Sequence, residues 1–166
     1  NLLIDLMKAS APSRIVNVAS SAHRMGTIDF DDLQAEQGYG GYKAYSRSKL
    51  ANVLFTHELA RRLEGTGVTA NCMHPGTVRT NLFKGASSSM AFYLNLLKPF
   101  MRSLAKGAET VVYLASSPDV DGVTGRYFVN KKVVRSSRTS YDDAVAQELW
   151  RVSAQLTGTA VDLPSP

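Results

Sequence analysis

The chain predicts an α/β fold built on a parallel sheet, and three observations lead there. Two short β-branched runs, residues 14–20 and 68–73, are apolar on both faces. A long amphipathic helix, residues 42–64, lies between them. Glycine or proline marks most changes of element. Strands apolar on both sides are those that helices cover from above and below. A helix joining two strands of one sheet makes a right-handed parallel crossover. Such sheets take their ligands outside the carboxyl ends of the strands, which here are Ser20 and residues 73–76.

Each element has its own signal. Leu2, Leu3, Leu6 and Met7 follow helical spacing until Ser10-Ala11-Pro12-Ser13 breaks it, so residues 1–10 are expected to be helical. Arg14-Ile15-Val16-Asn17-Val18-Ala19-Ser20 is the first strand. Residues 21–41 show little periodicity and several glycines and aspartates, the marks of a long loop of the kind that carries function. In the 42–64 helix Leu50, Val53, Leu54, Leu59, Ala60 and Leu63 recur at three and four, and Gly65 and Gly67 stop it. Val68-Thr69-Ala70-Asn71-Cys72-Met73 is the second strand, ended by Pro75-Gly76. From Thr77 the chain is irregular, then amphipathic over 90–104 and helical over 106–115. Residues 125–129 read as a last strand, and 141–156 as a closing helix with Val145, Leu149, Val152 and Leu156 in register. Residues 160–166, with two prolines, read as a tail, which leaves 1–159 as one domain or part of one.

Composition narrows the function classes. At 166 residues, 44% hydrophobic and 20% charged, the chain can bury a core, and disordered and fibrous classes are excluded. One cysteine, Cys72, rules out an internal disulfide and a cysteine-based zinc cage, and a reducing, cytoplasmic setting fits. His23, His57 and His74 are too dispersed for a metal motif. No apolar run reaches the roughly 18 residues that a membrane-spanning helix needs. The net charge of +5 is spread among acids. Its densest stretch, Lys131, Lys132, Arg135 and Arg138, lacks stacking aromatics and reads as a solvated loop, so no nucleic-acid partner is expected.

The chemistry centres on Tyr45-Ser46-Arg47-Ser48-Lys49. Tyr45 and Lys49 are four apart on the strongest helix and share a face, about 6 Å apart along its axis. A nearby ammonium favours phenolate and turns a tyrosine into a base usable near neutrality, suited to taking the proton of an alcohol. Tyr39 with Lys43 and Tyr127 with Lys131 share the spacing, but the first contains Gly40 and Gly41 and the second falls on a strand, where i and i+4 stand roughly 13 Å apart. Ser20, at the end of the first strand, carries a hydroxyl that can hold a carbonyl oxygen. Ser21 could do the same, and either could simply cap the loop.

Together these residues resemble the short-chain dehydrogenase/reductase family, in which a strand ending Ile-Val-Asn-Val/Ile-Ser-Ser precedes a Tyr-x-x-x-Lys helix. The resemblance selects Ser20, which matches the second serine of that pair, with Ala19 in place of the first. His74-Pro75-Gly76-Thr77-Val78-Arg79-Thr80 is similar to the family's Pro-Gly-x-x-x-Thr turn. Ser20-Ser21-Ala22-His23, Ser48-Lys49-Leu50-Ala51-Asn52, His57-Glu58-Leu59-Ala60-Arg61-Arg62-Leu63 and Gly122-Val123-Thr124-Gly125-Arg126-Tyr127-Phe128 look like its retinol-dehydrogenase-like branch. The resemblance implies a Rossmann-like doubly wound parallel sheet and an NADP- or NAD-dependent oxidoreductase interconverting an apolar alcohol and its aldehyde or ketone. It implies that Tyr45 exchanges the proton, Lys49 lowers the pKa of Tyr45 and binds the nicotinamide ribose, and Ser20 orients the substrate oxygen. Together with Lys49, the residues Tyr45, Pro75, Gly76, Val78 and Thr80 would lie along the cofactor.

The family's amino-terminal Gly-rich turn is not in this sequence. Gly65-Thr66-Gly67-Val68-Thr69-Ala70 fits G-x-G-x-x-A but leads from helix to strand, the wrong order for receiving a pyrophosphate, and reads as a helix stop. The chain is therefore expected to be the carboxyl-terminal half of a dehydrogenase, impaired alone, with an incomplete sheet and an open edge at its first strand. A non-catalytic binding or dimerisation module that keeps the scaffold is the alternative. The apolar run from Met90 to Met101 ranks first as a lid over an apolar substrate, ahead of a face resting on a membrane or plain core. Apolar residues on more than one side of the 42–64 helix suit a homodimer.

Overall fold

The structure, a computed structural model, describes residues 2–78 and 101–163. A short helix, α1 (Ile4–Ala9), leads into strand β1 (Ser13–Val18), and a long excursion then reaches helix α2 (Gly41–Arg62). Strand β2 (Val68–His74) follows, then helix α3 (Leu104–Ser116), strands β3 (Tyr127–Val129) and β4 (Lys132–Val133), and helix α4 (Asp143–Thr157). The sheet runs β1-β2-β3-β4, with the first three strands parallel and β4 antiparallel to β3. The expected crossover is thus present, with Ser13 opposite Val68 and Val18 opposite Met73.

The pleat sorts the core into two layers. Ile15, Val68 and Ala70 meet Ile4, Leu59, Ala60, Leu63 and Trp150 on the face covered by α1, α2 and α4. Val16, Met73 and Phe128 meet Leu114 and Val120 on the α3 face. Successive side chains of a strand point to opposite faces, so adjacent residues such as Ile15 and Val16 serve different layers. The loop after β1 lays Ile28, Phe30 and Leu33 on Leu50, Leu54 and Leu149.

Three sequence expectations need correction in detail. β2 is buried along most of its length, but β1 is only half-buried and Val18 is 47% exposed, and among the described residues β1 stands at the edge of the sheet, paired with β2 alone. β4 has no signal in the hydrophobic pattern. Asn130 and Lys131, both at positive φ (54° and 63°), make a two-residue hairpin that folds the basic stretch back along β3. Residues 160–163, expected as a tail, lie against the core: the Val161 carbonyl accepts bonds from Trp150 Nε1 (2.6 Å) and Arg62 Nη1 (3.0 Å). Gly65 and Gly67, at φ 77° and 75°, stop α2 as expected. Among the described residues no helix is long and apolar enough to cross a membrane. The 90–101 run read as a lid lies outside the described residues except for Met101.

Candidate active site

β1 ends at Val18, and Ser20 stands two residues beyond it as the N-cap of a 3-10 turn over Ser21–Met25. Its Oγ accepts the Ala22 N–H at 3.2 Å. This is the capping role weighed against catalysis, and the two are compatible. A hydroxyl has two lone pairs and one proton, the cap uses one lone pair, and the proton is left to donate elsewhere. Ser20 is buried and Ser21 exposed.

Tyr45 and Lys49 occupy the first half of α2, both half-buried. The Lys49 ammonium lies 5.6 Å from the centre of the Tyr45 ring and 3.5 Å from the Val18 carbonyl oxygen. Asn52, nearly one turn further along, donates to the same oxygen at 3.0 Å. Asn17 Nδ2 donates to Thr56 Oγ1 at 2.9 Å, and Thr56 donates to the Asn52 carbonyl at 2.7 Å. This ladder of polar contacts sets α2 on the carboxyl end of β1 and brings Lys49 to within two residues of Ser20. The competing Tyr-x-x-x-Lys pairs fall away on backbone grounds: Tyr39 is exposed ahead of α2, and Tyr127 is buried in β3. Burial pushes the Tyr127 phenol up to about 12, which unfits it as a base.

The Pro75-Gly76 turn lies beside this end of β1, because Val18 pairs with Met73 and the Ala19 N–H donates to the Met73 carbonyl at 2.8 Å. Gly76 has φ +84°, and a Cβ there would stand 2.8 Å from Arg102 Nε. Arg102 buttresses the turn. Its N–H bonds the Thr77 carbonyl (2.8 Å) and its Nη1 bonds Asn130 Oδ1 (2.5 Å). Val78 forms a bridge with Arg102 and nestles on Gly107 of α3, where a Cβ would come within 2.6 Å of Val78 Cγ2. Pro75, Gly76 and Val78 thus follow the carboxyl end of β2, at the same end of the sheet as Ser20 and Lys49. Thr80 lies outside the described residues.

A family model described as enoyl-(acyl carrier protein) reductase matches residues 2–131. The chain belongs to the short-chain dehydrogenase/reductase family. It is 49% identical to retinol dehydrogenase 14 of Homo sapiens over 166 residues, covering 95% of this chain and 48% of that protein. To retinol dehydrogenase 12 of Homo sapiens it is 44% identical over 157 residues, covering 95% and 49%. A crystal structure of an uncharacterized protein from Mycobacterium paratuberculosis superposes with a TM-score of 0.69 at 34% identity, over 91% of this chain and 52% of that one. A blue fluorescent protein from a metagenomic library, solved in complex with NADPH, superposes at 0.52 with 29% identity, over 75% and 47%. The chain spans about half the length of the curated relatives it matches. The incomplete Rossmann-like sheet of this short-chain dehydrogenase/reductase chain agrees with the fold predicted from its sequence.

Sequence reasoning assigned no role to the three histidines beyond setting aside a metal, and among the described residues no group of three or more metal-ligating side chains exists. His23 and His57 instead grip one loop. His23 Nε2 meets the Ser137 N–H at 3.0 Å, and His57 Nδ1 lies 2.8 Å from the Ser140 carbonyl while its ring stacks on Tyr141 at 5.1 Å. His74 Nδ1 is buried without a hydrogen-bond partner among the described residues. Burial is the first cause that holds all three below the ordinary histidine value. Above pH about 6.5 both folded and unfolded chains are neutral at these positions, so their contribution to stability is complete. As pH falls below that value the unfolded chain takes up protons that the folded one resists. Each such proton costs at most about 1.4 kcal/mol per pH unit until the folded histidine titrates too. The urea midpoint is therefore expected to fall between pH 7.5 and 5.5. An unchanged midpoint would show that the histidines are not held neutral.

Proposed function

We propose that this chain carries the proton-transfer machinery and the nicotinamide side of an NADP-dependent oxidoreductase that interconverts an apolar alcohol and its aldehyde or ketone. The observation that carries the reading is the placement of Tyr45 and Lys49 on one face of α2, fastened through the Val18 carbonyl to the strand end that bears Ser20. The cofactor, when bound, supplies or accepts a hydride at the substrate carbon. In the oxidative direction Tyr45 takes the proton of the substrate hydroxyl as the carbon gives up its hydride, and in reduction it returns that proton. Ser20 donates its free hydroxyl proton to the substrate oxygen and holds it toward Tyr45. Lys49 stabilises the negative charge that develops on the phenol oxygen.

The residues fit a nicotinamide nucleotide. Lys49 has three donors and spends one on a long bond to Val18, which leaves donors for ribose hydroxyls. Pro75, Gly76, Val78 and Thr80 would line the nicotinamide. The NADPH bound by the blue fluorescent protein favours NADP over NAD. The names of the curated relatives make retinal and retinol the first substrates to try. A reducing, cytoplasmic setting suits the lone buried thiol of Cys72, whose value burial pushes up to about 12 and so renders inert.

The test is NADPH consumption by the full-length protein bearing this chain, offered retinal and a panel of apolar aldehydes and ketones. Turnover that Ser20→Ala lowers by about a hundredfold is expected. Absence of turnover with the whole panel would end the reading. The 166-residue chain by itself contains no Gly-rich strand-turn-helix and is expected to bind NADPH only weakly. Micromolar affinity in a fluorescence titration would contradict that.

A further inference from the structure

We propose that His23 is a positioning residue for Ser20, and that a loop more than a hundred residues away sets the tautomer through which it acts. The inference rests on the role of Ser20 proposed above. His23 is fully buried, 0% exposed, so it touches neither substrate nor solvent. Its ring is wedged edge-on to Tyr127, with centroids 4.8 Å apart. Nδ1 lies 2.6 Å from the Ser20 carbonyl oxygen, and Nε2 lies 3.0 Å from the backbone nitrogen of Ser137.

The chemistry of the two partners settles where the ring proton resides. A backbone N–H can only donate, so Nε2 must be the accepting, unprotonated nitrogen, and the single proton of the neutral ring sits on Nδ1. From there it donates to the Ser20 carbonyl, which also accepts the His23 N–H at 3.1 Å. With Ala22 donating to Oγ, three bonds hold the peptide plane and side chain of Ser20. What remains uncommitted is the hydroxyl proton that a substrate oxygen needs.

The loop that imposes the tautomer is itself braced. Ser140 Oγ donates to the Ser137 carbonyl and pairs with Ser136 Oγ, each at 2.7 Å, and Ser136 N–H donates to the Tyr141 hydroxyl at 3.2 Å. His57 on α2 closes the bracket through the Ser140 carbonyl. A displaced Ser137 would free Nε2, and the proton that Ser20 depends on could move to it.

Two variants separate the halves of the bridge. In His23→Asn the amide nitrogen takes the place of Nδ1 and can still donate to Ser20, but nothing accepts from Ser137. In His23→Gln the longer side chain places its oxygen near the position of Nε2, so Ser137 is satisfied and the Ser20 bond is lost. In the full-length protein His23→Asn is expected to keep kcat within about threefold, and His23→Gln to lose roughly tenfold or more in kcat at unchanged KM. Combining His23→Gln with Ser20→Ala should add little to Ser20→Ala alone, since the two act through one hydroxyl. Equal kcat in His23→Asn and His23→Gln, with Ser20→Ala impaired, overturns the positioning role and leaves the proposed function standing. Full activity in Ser20→Ala overturns the assignment of Ser20 itself. Nitrogen-15 NMR of the wild-type protein tests the tautomer without a variant: a proton on Nδ1 at neutral pH is expected, and one on Nε2 refutes the inference.

Discussion

Replacing Tyr45 by Phe in the full-length protein is expected to lower turnover by three to four orders of magnitude while NADPH affinity stays within about twofold. General acid–base catalysis by a single positioned group contributes roughly 10²–10⁴ in rate, and here the substrate proton has no other designated partner. Phe keeps the ring against which Lys49 lies, 5.6 Å from its centroid, so the packing of α2 and the ammonium's bond to Val18 should survive. That separation of effects is what makes the variant informative. Lost turnover with lost cofactor binding would mean a disturbed fold, and retained turnover would remove Tyr45 from the reaction. Stopped-flow hydride transfer and equilibrium NADPH binding, measured on the same preparation, distinguish these outcomes.

Gly26→Ala is expected to have the largest effect on stability of any glycine-to-alanine change among the described residues. Gly26 follows the 3-10 turn of Ser20 and presses against α2, where a Cβ would stand 2.4 Å from the Ser46 carbonyl oxygen and 2.9 Å from Leu50 Cβ. Its φ of −79° is ordinary, so the constraint is space and not backbone conformation. The obstructing atoms belong to a helix backbone and cannot swing aside. Overpacking of this kind costs about 1–3 kcal/mol and sometimes more, and thermal unfolding should move down by several degrees. Turnover should fall as well, because Gly26 anchors the turn that carries Ser20 and lies against the residue next to Tyr45. Gly41→Ala is the control. A Cβ there meets nothing closer than the Tyr39 hydroxyl at 3.9 Å, and alanine is the better helix residue, so an unchanged or slightly raised melting temperature is expected. Equal melting temperatures for the two variants would show that the turn does not sit on α2 as described.

The candidate site was partly legible before any coordinates. Tyr45 and Lys49 share a helix face because a four-residue spacing is nearly one turn, a local property of the chain. Ser20 could be placed near the strand end, but choosing it over Ser21 needed the family resemblance, since both are serines in adjacent positions. The structure places Ser20 buried under its own cap and leaves Ser21 in solvent. Asn52, Arg102 and His23 were present in the sequence with no local sign of what they hold. Asn52 sits in an ordinary helical register, Arg102 is one of many scattered basic residues, and His23 follows the serines in an aperiodic loop. A single sequence carries no signal for a bond whose two ends are far apart along it.

The alternation of strand and helix, the parallel crossover, the helix stop at Gly65 and Gly67, and the Tyr45-Lys49 face belong to the sequence alone. Each follows from side-chain periodicity or from backbone freedom within a few residues. The tertiary structure decided that Lys49 and Asn52 converge on the Val18 carbonyl, and that the 136–141 loop dictates the proton on His23. Those outcomes depend on which buried polar groups find one another once the helices have closed on the sheet. A buried donor without an acceptor is costly, so the pairing is strict. But it is selected by the packed geometry of distant segments, and no short stretch of residues contains it.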